Sequence, residues 1–191
     1  NKVRPDNQSS GYDLDCGSWS NLPEDDFVLH DDYDWCIGEF VWTGFDYLGE
    51  PTPYHEIWPN HSSLFGIVDL AGLPKDRYYL YRSHWRPEEE TLHVLPHWTW
   101  PGREGEVTPV FVYTNYPSAE LFVNGRSQGR IAKDTTMTQA ATDSEEAARG
   151  LWRQRRYRLM WMDVKYEPGT LRVVAYDRNG RPAAETEVHT A

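Results

Sequence analysis

Two cysteines in 191 residues, Cys16 and Cys36, are too few for a disulfide framework, and their spacing matches no zinc motif. Whether they pair is left open, and with it the compartment. No apolar run approaches the roughly 18 residues of a membrane helix, which excludes a membrane-spanning helix. Positive charge is scarce: 19 Lys and Arg stand against 30 Asp and Glu, for a net charge of −11. A nucleic-acid partner needs a basic face and is excluded on this ground. Neither an initiator Met nor a signal peptide is visible in the polar opening Asn-Lys-Val-Arg-Pro-Asp-Asn-Gln, so the sequence reads as a piece of a longer polypeptide. There is no internal repeat.

What is abundant is aromatic. Phe, Trp and Tyr make up 14% of the chain, with nine Trp. That density argues against disorder and suits a packed core, a sugar-stacking surface, or both. The charge is also uneven. Residues 1–87 hold 6 basic and 15 acidic side chains, net −9, whereas residues 88–191 hold 13 and 15, net −2. Two modules of different kind are therefore expected, divided after Pro87.

In the first module, Asn21-Leu-Pro-Glu-Asp-Asp26 predicts a helix start: Asn21 or a neighbour as cap, Pro in the first turn, acids at the positive end of the dipole. The helix is expected to run to about Asp31, with Phe27 buried. Residues 36–42 are nearly continuously apolar and predict a buried strand. A Pro-rich loop follows, then a short extended piece at 64–68. A second helix opens at Leu73-Pro-Lys75 and ends near Pro87, with Tyr78, Leu80, Tyr81 and Trp85 on apolar faces. Helix, strand, loop, helix is a β/α rhythm, and a single strand needs partners from elsewhere.

After Pro87 the pattern becomes short strands separated by turns, at 92–95, 107–113, 119–123, 126–131, 157–162, 170–176 and 183–188. Asn124-Gly125 and Asn179-Gly180 are type I′ hairpin signals, and Pro168-Gly169 suits a type II turn. Seven such strands predict an immunoglobulin-type β-sandwich. Residues 132–156 are a polar excursion with a helical turn at 144–149. The basic run from Arg149 to Arg158 reads as a solvated face or an internal ion-pair cluster.

Three blocks carry a resemblance. Gly38-Glu-Phe-Val-Trp-Thr-Gly-Phe-Asp46 resembles the last barrel strand of glycoside hydrolase family 2. Phe65-Gly-Ile-Val-Asp69, Gly72-Leu-Pro-Lys75 and Tyr81-Arg-Ser-His-Trp85 resemble the family's barrel ending. Tyr166-Glu-Pro-Gly-Thr-Leu171 and Phe122-Val-Asn-Gly-Arg-Ser-Gln-Gly129 resemble the immunoglobulin-like domain of β-galactosidase-like members. The resemblance implies the C-terminal part of a (β/α) TIM barrel at 1–87, then an immunoglobulin-like β-sandwich at 88–191. It implies a retaining glycosidase whose two catalytic glutamates lie upstream, so this chain is expected to hold no catalytic residue and to be inactive alone. Its partners would be a β-galactoside or related neutral glycan and the N-terminal remainder of the same polypeptide. No cofactor and no metal are implied. A non-catalytic carbohydrate- or protein-binding sandwich module is the competing reading.

Five residues are expected to bind substrate. Trp42, at the end of the strand where barrels build active sites, is either a core cap or, as the resemblance implies, a wall against the sugar. Asp46 bonds a sugar hydroxyl, orients another side chain, or caps its loop. Glu50, His55 and Trp58, with His61, either rim the cleft or pack the loop. Glu39 alternates away from Trp42, on a face with Ile37 and Val41, and is expected to pair with an Arg or Lys as framework. His55, Glu56 and His61 are spaced too irregularly for a metal. Trp98 and Trp100 share a face and either form a platform or pack a domain junction. The resemblance also separates substrates. Where glucuronidases of the family carry Asn-x-Lys before Gly-Ile, this sequence has Ser63-Leu-Phe65, which leaves a sugar carboxylate without a cation.

Overall fold

The computed structural model describes residues 10–139 and 151–191. The helical turn expected at 144–149 lies outside them. The chain forms two compact units, Asn1–Tyr81 and Arg82–Ala191.

In the first unit, α1 spans Pro23–Asp32. Pro23 fits the first helical position, where its missing N–H costs nothing, and Glu24, Asp25 and Asp26 face the dipole's positive end. The cap falls on the neighbour of Asn21. Leu22 is the N-cap residue, and its N–H donates to the Asp25 carboxylate at 3.0 Å. Asn21 instead donates its amide to Asp26. Phe27 is fully buried and meets the Tyr81 ring edge-on at 5.4 Å.

The strand expected at 36–42 does not form. A segment apolar on both faces needs ladders on both sides, and no described residue supplies one; Ile37 is 99% exposed. Order resumes immediately beyond it. Ile67 and Val68 donate to the carbonyls of Thr43 and Gly44 at 3.0 Å each, and Asp46 N–H donates to Val68 O at 2.9 Å. Phe45 and Val68 thereby form a parallel bridge, and Leu48 pairs antiparallel with Ser62. Gly66 is required at this crossing: a Cβ there would lie 2.2 Å from the Asp46 nitrogen. Helix α2 spans Asp76–Trp85 and buries Leu80 completely.

Among the described residues the second unit contains seven strands in two antiparallel sheets. They are β1 Leu92–Leu95, β2 Val110–Thr114, β3 Ser118–Val123, β4 Arg126–Ala132, β5 Leu159–Trp161, β6 Thr170–Tyr176 and β7 Pro182–His189, with α3 at Trp152–Tyr157 before β5. The sheet orders are β1-β2-β5 and β4-β3-β6-β7. Alternation sets the inner faces. Ala119, Leu121 and Val123 of β3 and Leu171, Val173 and Ala175 of β6 pack with Val110 and Val112 of β2 in one buried cluster. Trp98 belongs to that cluster and is fully buried rather than an exposed platform, and its indole N–H donates to Glu167 O at 2.9 Å.

Three expectations are corrected here. Strand β2 starts at Val110 rather than Val107, because Pro109 has no N–H to give a ladder. Tyr157 ends α3 instead of opening β5. In the basic run, Arg158 is buried, not solvated: it donates to the Tyr113 hydroxyl at 3.1 Å, with its guanidinium 5.3 Å from that ring's centre.

Candidate functional site

Within the first unit lies a cleft of about 720 Å³. Trp19, Trp42, Tyr54 and Phe65 give it aromatic walls, and Asp13, Asp26, Glu39, Glu50 and Asp76 give it acids. Among the described residues its cations are Lys75 and Arg77, both paired inside the chain. Lys75 Nζ lies 2.7 Å from Asp46 Oδ2 and donates to Leu64 O at 3.1 Å. Arg77 clamps Asp13 through Nε and Nη2 at 3.1 and 2.6 Å. The cleft therefore offers carboxylates and aromatic faces, with its positive charge already engaged.

Trp42 is 74% exposed at this cleft and is joined to Thr43 by a cis peptide bond. Its Nε1–H donates to the Tyr47 hydroxyl at 3.2 Å, with the two rings edge-to-face at 6.0 Å. The Tyr47 hydroxyl in turn donates to Glu50 Oε2. Asp46 is buried, and both its oxygens have partners in the chain: Oδ2 the Lys75 ammonium, Oδ1 the Gly66 N–H at 2.8 Å. It ties the Gly66 crossing to the start of α2. His55 and Trp58 are not among the cleft's lining residues; His55 sits 3.8 Å from Glu56, and Trp58 is 91% exposed. His61 turns its Nδ1 to Pro59 O at 2.6 Å. The structure thus joins Trp42 and Glu50 at the cleft, puts Asp46 behind them, and leaves His55 and Trp58 on the loop outside.

Glu39 corrects the expectation of a basic partner. Its neighbour is Asp26, and Glu39 Oε1 is buried without a hydrogen bond. Burial first, then the charge and hydrogen bond of Asp26, push the Glu39 carboxyl up to about 7. Burial likewise raises the Tyr81 phenol. Cys16 and Cys36 are both free thiols, with Cys16 raised chiefly by burial. Among the described residues no group of His, Cys, Asp and Glu can hold a metal ion. Sequence reasoning missed Tyr47 and the Arg77–Asp13 clamp. Tyr47 carries a weak signal, five residues after Trp42 and three before Glu50. The clamp, spanning 64 residues, carries none.

Known proteins match across both units. A domain of unknown function, DUF4982, matches residues 105–184. The β-galactosidase BoGH2A of Bacteroides ovatus is 45% identical over 91% of this chain, which spans 17% of that protein. A Formosa agariphila protein carrying a β-glucuronidase name is 39% identical over 84% of this chain and 14% of its own length. Among solved structures, a β-glycosidase from Bacteroides vulgatus superposes with a TM-score of 0.75 at 32% identity, covering 97% of this chain and 20% of that one. A glycosyl hydrolase family 2 member from Bacteroides cellulosilyticus gives 0.64 at 26% identity, covering 88% and 21%. The chain belongs to glycoside hydrolase family 2, in its C-terminal region. It spans about a fifth or less of the length of these relatives.

Proposed function

We propose that this chain is the C-terminal part of a retaining glycoside hydrolase acting on β-galactosides or related neutral glycans. On this reading residues 1–87 complete a (β/α) barrel, and residues 88–191 are a supporting immunoglobulin-like sandwich. The carrying observation is the cleft: an exposed Trp42 indole beside Glu50, with Lys75 and Arg77 already paired.

An indole face packs against the C–H face of a pyranose, and a carboxylate accepts its hydroxyls. Trp42 is the sugar wall and Glu50 a hydroxyl acceptor. Asp46 contributes by holding Lys75 and the Gly66 crossing. A glucuronide would bring its carboxylate toward Phe65 and several acids with no unpaired cation among the described lining residues to meet it, a costly desolvation. The β-galactosidase name of the Bacteroides ovatus relative supports a neutral sugar, although the Formosa agariphila relative carries the other name.

Retaining hydrolysis needs two carboxylates about 5–5.5 Å apart, one as nucleophile and one as acid/base. Glu39 and Asp26 share a hydrogen bond instead, which suits a framework pair. Both catalytic glutamates are assigned to the remainder of the polypeptide. The test compares the full-length protein with this chain on a nitrophenyl galactoside. Turnover is expected from the full-length protein and from its Glu39→Gln variant, and none from the chain. Turnover by the chain that Glu39→Gln abolishes would overturn the reading.

A further inference from the structure

We propose that Tyr47 is a positioning residue that fixes Trp42 and Glu50 as one recognition unit for a hydroxyl-rich sugar face. The proposal rests on the reading of Trp42 and Glu50 as sugar-binding groups. Tyr47 does not line the cleft, whereas Trp42 and Glu50 do. It joins the two from behind. A phenol has one proton to give and lone pairs to receive. Here it accepts the indole N–H of Trp42 at 3.2 Å and donates its own proton to Glu50 Oε2. The indole plane is held by this bond and by the edge-to-face ring contact. Because Oε2 takes the phenol proton, Glu50 Oε1 keeps its acceptor capacity for a ligand hydroxyl.

The backbone of Tyr47 is itself fixed. Its N–H donates to the Ser63 Oγ at 3.1 Å, and its carbonyl accepts the Ser63 N–H at 2.8 Å. Ser63 is fully buried. Residues 42, 47, 50 and 63 therefore form one connected set that presents an indole face and a carboxylate acceptor side by side. Such a pair recognises hydroxyls and repels a carboxylate, which assigns Tyr47 a part in selecting neutral sugars.

The test is steady-state kinetics of the full-length protein on the best substrate of a nitrophenyl glycoside panel, comparing Tyr47→Phe, Trp42→Ala, Glu50→Ala and Tyr47→Phe/Glu50→Ala, each checked for wild-type melting. Phe keeps the ring contact and loses both hydrogen bonds. KM is expected to rise about 5- to 10-fold, with kcat changed by less than about 2-fold, as for lost ground-state positioning. Acting through both Glu50 and Trp42, Tyr47→Phe should add less to Glu50→Ala than it costs alone, the remainder being its hold on the indole. Full additivity in the double variant would overturn the proposal. So would wild-type kinetics for Tyr47→Phe beside an impaired Trp42→Ala, an outcome that leaves the cleft reading standing. Wild-type kinetics for Trp42→Ala and Glu50→Ala as well would overturn the cleft reading itself.

Discussion

Beside Asp26, Glu39 keeps its proton far above the usual carboxylate range, to about pH 7. Between pH about 4.5 and 7 the folded chain therefore holds a proton that the unfolded chain has released. Folding stability must fall as pH rises through that window, and the loss is complete above it. Glu39→Gln removes the charge and keeps the shape. The variant should be the more stable form at pH 8, by about 1–2 kcal/mol once solvent screening is counted, and should lose this advantage at pH 4.5. Melting curves at half-unit pH steps check this; parallel pH profiles for the two proteins would contradict it. Trp42 makes a different prediction. Exposed as it is, Trp42→Ala should leave the melting of this chain nearly unchanged. In the full-length protein it should lower kcat/KM by roughly 5- to 150-fold, the worth of a sugar-stacking contact of about 1–3 kcal/mol.

The turns of the sandwich show how far a local signal reaches. Asn124 and Gly125 hold φ of 49° and 76°, the type I′ pattern their dipeptide predicts. Asn124 also binds a second turn: its Nδ2 donates to Pro168 O at 3.1 Å, and its Oδ1 accepts Thr170 N–H at 2.8 Å. Gly169, at φ 133°, is packed so closely that a Cβ would lie 2.0 Å from Asn124 Oδ1. Asn124→Gly should cost about 1–2 kcal/mol for the lost bonds, and Asn124→Ala about 1 kcal/mol more for its left-handed backbone. Equal urea midpoints for the two variants would contradict that division. Asn179-Gly180 looked the same in sequence but is not. Asp177 Oδ1 accepts the N–H groups of Asn179 and Arg181, so only Gly180 takes positive φ, at 77°. The seven strands were legible because each has one wet and one buried face or a marked turn. The segment at 36–42 was not, because its burial depends on neighbours that no described residue provides. In the site, Trp42 and Asp46 stood out through the family resemblance. Tyr47 did not, since its role arises only when the chain reverses between Thr43 and Glu50. The Glu39–Asp26 contact was hidden because the strand whose alternation was to aim Glu39 away from Trp42 does not form, and both residues line the cleft.

The two units differ in how much they need. The sandwich has its own core and complete sheets, so residues 88–191 expressed alone should give a well-dispersed proton spectrum. Residues 1–87 expose Ile37, Phe40, Leu48, Leu70 and Leu73, and alone they should aggregate or give a collapsed spectrum. A dispersed spectrum for that piece would contradict the need for covering strands. The central claim is that the cleft is one wall of a neutral-sugar site, and it is tested most directly by substrate choice. The full-length protein should be assayed on matched nitrophenyl β-galactoside, β-mannoside and β-glucuronide. The account predicts that kcat/KM for the galactoside exceeds that for the glucuronide by on the order of 100-fold, because among the described residues the carboxylate finds no unpaired cation beside Phe65. Preference for the mannoside would remove only the assignment to galactose; preference for the glucuronide would contradict the account.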